Sequence, residues 1–116
     1  ATDAILGAGE ANGAWKLLDD ARFRYGSGAT SNHPAARAKW NVEGSAITLW
    51  APKGPEYGAA DLYIDGQPAG AIDFSAPQTE PSRPLFTRDH LKGVRHAVTV
   101  VAKGKTIPLD VLEVEQ

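Results

Sequence analysis

Ala36-Arg37-Ala38-Lys39-Trp40-Asn41-Val42-Glu43 carries the plainest structural signal in the chain. Its apolar members recur at every second residue, which puts Ala36, Ala38, Trp40 and Val42 on one side of an extended backbone and Arg37, Lys39, Asn41 and Glu43 on the other. The alanines favour a helix by propensity, but a helical face needs apolar residues three and four apart. The period of two predicts a half-buried strand with Trp40 in the core.

On the C-terminal side, Gly44-Ser45 reads as a tight turn and Ala46-Ile47-Thr48-Leu49-Trp50 as the returning strand of a hairpin, stopped by Pro52-Lys53-Gly54-Pro55. Residues 59–64 alternate again, and Asp65-Gly66 is the strongest short hairpin signal, leading into Ala69 to Phe74. Ser75 to Pro84 holds Pro77, Pro81 and Pro84, none of which can donate to a ladder, so it reads as a loop or an irregular edge. Leu85-Phe86-Thr87 follows as a short strand. His96 to Ala102 is β-branched and nearly continuous, Gly104-Lys105 turns it, and Ile107 to Val114 closes the domain.

On the N-terminal side, residues 1–13 read as a linker or a covering strand, and Ala14 to Leu18 as the first strand of the domain, with Trp15 in the core. Asp19 to Pro34 is polar and rich in turn residues, which predicts a long surface loop. The expectation is about seven or eight strands in a single all-β domain over residues 14–116, a β-sandwich or jelly roll.

Composition narrows the function classes. A chain of 116 residues builds one continuous core, not two. Twelve Lys and Arg against 14 Asp and Glu leave no basic field to gather nucleic acid or anionic lipid. No apolar run approaches the roughly 20 residues of a membrane helix. No charged-then-apolar leader stands at Ala1, so any export signal is read as removed or as lying outside this stretch. The absence of cysteine excludes thiol catalysis, disulfides and thiolate zinc sites. The 12 Gly and 8 Pro suit short strands joined by turns.

The run from Gly44 to Gly66, with Leu85-Phe86, Leu91 to His96 and the closing Asp110-Val111-Leu112-Glu113-Val114, resembles galactose-binding-like β-sandwich modules of bacterial polysaccharide-degrading enzymes. The resemblance covers most of residues 35–114. It implies a galactose-binding domain-like fold, a secreted, periplasmic or cell-surface location, and a polysaccharide or oligosaccharide as partner, with the catalytic domain of the same parent chain beside it. Members of this fold also serve as jelly-roll partners of esterases or as spacers, so function is argued from the site. Many related modules hold a structural calcium, the one cofactor the resemblance implies. Asp110 matches the position of its late ligand, but no matching pattern of acids stands around Glu10, and calcium needs about six to eight oxygens.

Sugar binding needs an apolar ring to stack on and polar side chains for the hydroxyls. Tyr25 and Tyr57 lie in glycine-containing loops, and Lys53 and Glu56 accompany the second, so the loop from Trp50 to Gly58 is the leading binding surface. Trp50 reads either as an exposed platform or as a plug at the sandwich end. Arg83, with Arg88 and Arg95, carries the bidentate geometry for a uronate or sulfate. The expected ligand-binding set is Tyr25, Trp50, Lys53, Glu56, Tyr57 and Arg83, with Asp110 as the one metal candidate.

No catalytic residue is expected. Asp19-Asp20 is the only adjacent acidic pair, and in an extended chain its members point apart. No Gly-x-Ser-x-Gly elbow occurs, and the spacing of His33, His90 and His96 sets no two on one helical face. His96 reads as a structural histidine at the start of a strand. A noncatalytic carbohydrate-binding module is the first reading, and a structural accessory domain that packs on a catalytic domain without binding sugar is the second.

Overall fold

The computed structural model describes residues 2–6, 10–12, 15–24, 26–31, 36–92 and 95–115. Among them are twelve strands: β1 (Thr2–Leu6), β2 (Glu10–Asn12), β3 (Trp15–Asp19), β4 (Ser27–Ser31), β5 (Arg37–Glu43), β6 (Ala46–Lys53), β7 (Ala59–Ile64), β8 (Gln67–Asp73), β9 (Glu80–Arg88), β10 (Arg95–Ala102), β11 (Ile107–Leu109) and β12 (Val111–Glu115). They form a four-stranded sheet in the order β1-β12-β6-β9, a five-stranded sheet in the order β2-β5-β10-β7-β8, and a small sheet β11-β4-β3. Neighbouring strands pair antiparallel throughout. The domain is an all-β sandwich.

Period-two patterning builds the core as the sequence predicts. β5 buries Ala38, Trp40 and Val42 and exposes Arg37, Lys39, Asn41 and Glu43. From β10 come Val98 and Val100, from β7 Ala60 and Leu62, and from the opposite sheet Ile47, Leu49, Leu112 and Val114, all buried in one cluster with Phe74. Burying such side chains supplies the main stabilising term, about 25 cal/mol per Å² of apolar surface.

The Asp65-Gly66 turn also forms as expected. Ile64 stands opposite Gln67, and both turn residues have positive φ, 53° and 79°, the backbone that a two-residue type I′ turn demands.

Gly44-Ser45 does not make a hairpin. β5 and β6 lie in different sheets, β5 pairing with β10 and β2, and β6 with β12 and β9. The turn is a crossing from one layer to the other, held by Ser45 N–H to Glu115 O at 2.8 Å and Leu91 N–H to Ser45 O at 2.9 Å. A Cβ at Gly44 would stand 2.6 Å from Glu115 O and from Val114 Cγ1, so the close passage requires glycine.

The expected surface loop after Asp19 is instead a turn and a strand. Asp20 N–H to Gly26 O at 2.9 Å and Gly26 N–H to Phe23 O at 3.1 Å close a compact loop around Phe23, after which β4 pairs with both β3 and β11. Phe23 is 3% exposed, and its burial drives this closure. The predicted closing strand splits at Asp110 into β11 and β12, which belong to different sheets. The prolines of residues 80–84 sit in β9, the edge of its sheet, where the pairing with β6 slips twice.

Candidate functional site

The 20–26 loop, the 54–58 loop and the start of β9 meet at one end of the sandwich. Arg22 is the hub. Its Nη1 donates to Tyr57 Oη at 2.8 Å and to Glu56 Oε1 at 3.1 Å, and its Nη2 to Asp20 Oδ2 at 3.3 Å. Its backbone oxygen accepts Ser82 N–H at 2.7 Å, which ties the loop to β9. An Asx turn organises the approach, with Asp20 Oδ1 accepting the Arg22 N–H at 2.9 Å.

These bonds set the electrostatics. The Arg22 N–H and then its guanidinium hold the Asp20 carboxyl below the usual carboxylate range. The bond to Asp20, seconded by Tyr57, holds the Arg22 guanidinium above its already high value. Burial pushes the Tyr57 phenol upward, against the opposing pull of Arg22. The hub is a charged network at neutral pH.

Of the sequence candidates, Trp50, Lys53, Glu56 and Arg83 share this end. Arg83 stands opposite Ala51, and Lys53 opposite Glu80. The Arg83 guanidinium lies 3.1 Å from Glu80 Oε1, and Glu56 is engaged by Arg22, so both are exposed but ion-paired. Tyr57 differs from expectation: it is 3% exposed and belongs to the core cluster, so its ring is no stacking platform. The 54–58 loop folds back onto the core through Gly54 N–H to Phe74 O at 3.0 Å and Phe74 N–H to Gly58 O at 2.9 Å, which carries Tyr57 inward. Tyr25 and the side chain of Trp15 lie outside the described residues.

Trp50 is half-buried on the outer face of the four-stranded sheet, and Arg24 covers it, the guanidinium 4.0 Å from the ring centroid. Arg24 also pairs with Glu113 and donates its backbone N–H to Asp110 Oδ2 at 2.7 Å. Asp110 is fully buried, with Oδ1 unbonded among the described residues. Among the described residues no three acidic or histidine side chains gather. What Asp110 does is anchor the 20–26 loop. Sequence reading missed Arg22 and Arg24; the signal was there in Asp20-Ala21-Arg22, an Asx-turn spacing.

A histidine–carboxylate pair lies at the opposite end. His96 Nδ1 is 2.7 Å from Asp65 Oδ2, while its Nε2 is buried and bonds no group among the described residues. Among the described residues no serine hydroxyl bonds Nε2.

No family model matches the chain. Among curated proteins it is similar to the A type blood N-acetyl-alpha-D-galactosamine deacetylase of Flavonifractor plautii, 26% identical over 98 residues, which are 84% of this chain and 13% of that protein. The chain thus spans only a small part of that curated relative. Among solved structures it superposes on the exo-beta-1,3-galactanase of Phanerochaete chrysosporium with a TM-score of 0.71 and 15% identity, covering 97% of this chain and 29% of that one. It also superposes on the CBM36-1 domain of a multidomain xylanase from the hindgut metagenome of Trinervitermes trinervoides, with a TM-score of 0.59 and 11% identity over 97% of this chain and 95% of that domain. The fold is that of β-sandwich domains found in carbohydrate-active enzymes.

Proposed function

We propose that this domain is a noncatalytic carbohydrate-binding module of a larger, exported glycan-degrading protein. The observation that supports this most is the pattern of coverage. The chain and a self-contained xylanase module span one another almost completely, while the same chain accounts for only 13% of its curated relative.

The end of the sandwich around Arg22 offers what sugar hydroxyls require, donors and acceptors held in place. Lys53 and Arg83 supply N–H groups, and Glu56 and Glu80 supply carboxylate oxygens. Shallow sites of this kind bind in the millimolar to micromolar range, about −4 to −8 kcal/mol. The reading assigns no catalytic step to the His96–Asp65 pair, whose Nε2 has no partner among the described residues.

A glycan panel screened against the isolated chain, followed by calorimetric titration of any hit, tests this. Binding to one glycan class, weakened about three- to tenfold in Lys53→Ala/Arg83→Ala, is the expected result. Silence across plant, algal and host polysaccharides overturns it. The second reading, an accessory domain that packs on a catalytic domain, is favoured by one feature: the guanidiniums of Arg22, Arg24 and Arg83 are already spent on carboxylates. Phe74 is fully buried and Trp50 is roofed, so neither offers that domain a bare apolar patch.

A further inference from the structure

A cavity of about 460 Å³ lies far from the Arg22 hub, lined among others by Asn41, Glu43, Asp65, Arg95, His96 and Ala97. Its size falls in the range of about 300–1,000 Å³ typical of small-ligand sites. His96, 6% exposed, forms part of the lining, clamped through Nδ1 to Asp65 and with Nε2 unbonded among the described residues. Asp65 is itself fixed, since its Oδ1 accepts the Ala97 N–H at 2.8 Å and its own N–H bonds Ala97 O at 2.8 Å. The cavity is polar and apolar in equal measure, on a hydrogen-bonded frame.

Asn41, Glu43, Arg95 and Ala97 bring the cavity to the outer face of the five-stranded sheet, while Val42 and His96 line it from the buried side, and the strand register gives the layout of that face. On β10 the outward residues Ala97, Thr99 and Val101 are small, uncharged and half-buried. Thr99 stands between Tyr63 of β7 and Lys39 of β5, and Val101 between Asp61 and Arg37. Small side chains on the middle strand with long ones on both neighbours make a trough. Its walls are two interstrand spacings apart, about 10 Å, and from Arg95 to Val101 it runs about 20 Å. Tyr63 is half-buried on one wall, beside a bulge where the pairing with β8 skips a residue. Bulges of this kind re-aim a side chain.

Among the described residues, four acids on this face, Asp61, Asp65, Asp73 and Glu43, are matched by four bases, Arg37, Lys39, Arg95 and Lys103. Balanced charge disfavours nucleic acid and polyanionic glycans. An uncharged polyhydroxylated chain suits this face, because hydroxyls use donors and acceptors together and sugar rings stack on tyrosine.

We propose that the outer face of the five-stranded sheet is a second glycan surface, taking one unit of an uncharged oligosaccharide in the Asn41–Asp65–Ala97 cavity and the rest of the chain along Thr99 and Tyr63. The proposal rests on the carbohydrate-binding reading but concerns a different face. Titration of the 15N-labelled chain with neutral xylo- and galacto-oligosaccharides, read by amide shifts, tests it together with two variants. Tyr63→Ala removes the stacking ring and Thr99→Arg fills the trough floor; each is checked for the wild-type amide spectrum before use. Shifts at residues 39–43, 63–65 and 97–101, with affinity at this face falling about three- to tenfold in Tyr63→Ala and binding lost in Thr99→Arg while Lys53→Ala/Arg83→Ala leaves it intact, support the surface. Shifts confined to residues 20–24, 53–57 and 80–84, insensitive to Thr99→Arg, overturn it and leave the module reading standing. No shift with any oligosaccharide overturns both.

Discussion

Trp50 on the four-stranded sheet and Tyr63 on the five-stranded sheet are both half-buried aromatic residues on outer faces, yet their surroundings are opposite. Over Trp50 the Arg24 guanidinium stacks on the indole as a roof, and in the same part of the molecule Phe23, Ala29 and Val111 are buried outside the main core cluster. Val111 pairs directly with Trp50, so both occupy the covered side. Over Tyr63 the flanking side chains are exposed or half-exposed and the floor is made of small residues. Fractional exposure alone does not make a binding platform. What matters is whether the rest of the chain has already taken the ring's face.

The sharpest way to break this contrast is to remove the roof. Phe23→Ala deletes a buried aromatic that holds the 20–26 turn, and should cost about 3–5 kcal/mol in denaturant unfolding while raising the accessibility of Trp50 to a fluorescence quencher. A smaller effect is expected from Asp110→Ala. It leaves the Arg24 N–H without its partner, a loss of about 1–3 kcal/mol, with faster exchange of that amide as the specific readout. If amide exchange is unchanged, Asp110 is not the anchor of the roof.

The smallest effect belongs to the open face and appears only in acid. The His96 bond, then the Ala97 N–H, hold the Asp65 carboxyl below its ordinary value. A depressed folded-state pKa contributes stability that is present above the unfolded value, about 3.9, and is lost as pH falls through the lower folded one. Asp65 is half exposed, so solvent screens the effect. Asp65→Asn should therefore flatten the loss of stability below about pH 4, and an acid limb identical to wild type would dissociate Asp65 from it.

Much of the frame was legible in the sequence because it is local. The alternation over 36–43 and the Asp65-Gly66 turn need only neighbouring residues to be read. The Gly44-Ser45 crossing was read as a hairpin because a tight turn says nothing about which strands its flanks will join; β10 and β12, far downstream, decide that. Phe23 is a single aromatic in a polar stretch, so no periodicity announced its burial. Tyr57 was taken for a loop aromatic because its inward course depends on Phe74, a contact across two strands. Tyr63 escaped notice for a related reason: alternation places it outward, but nothing in the chain states which outer face will be roofed.

The crossing at Gly44 also governs how the domain is made. Since β6 leaves the layer of β5, its central neighbour is β12, and no local hairpin can hold it beforehand. On the ribosome, Leu49 and Ile47 have only β9 to pair with until synthesis has passed Glu115. Assembly is then a late, concerted event dominated by distant pairings, on the slow scale of all-β domains, roughly milliseconds to seconds. During translation, the open β12 edge of that strand is the part of the nascent domain most in need of a chaperone.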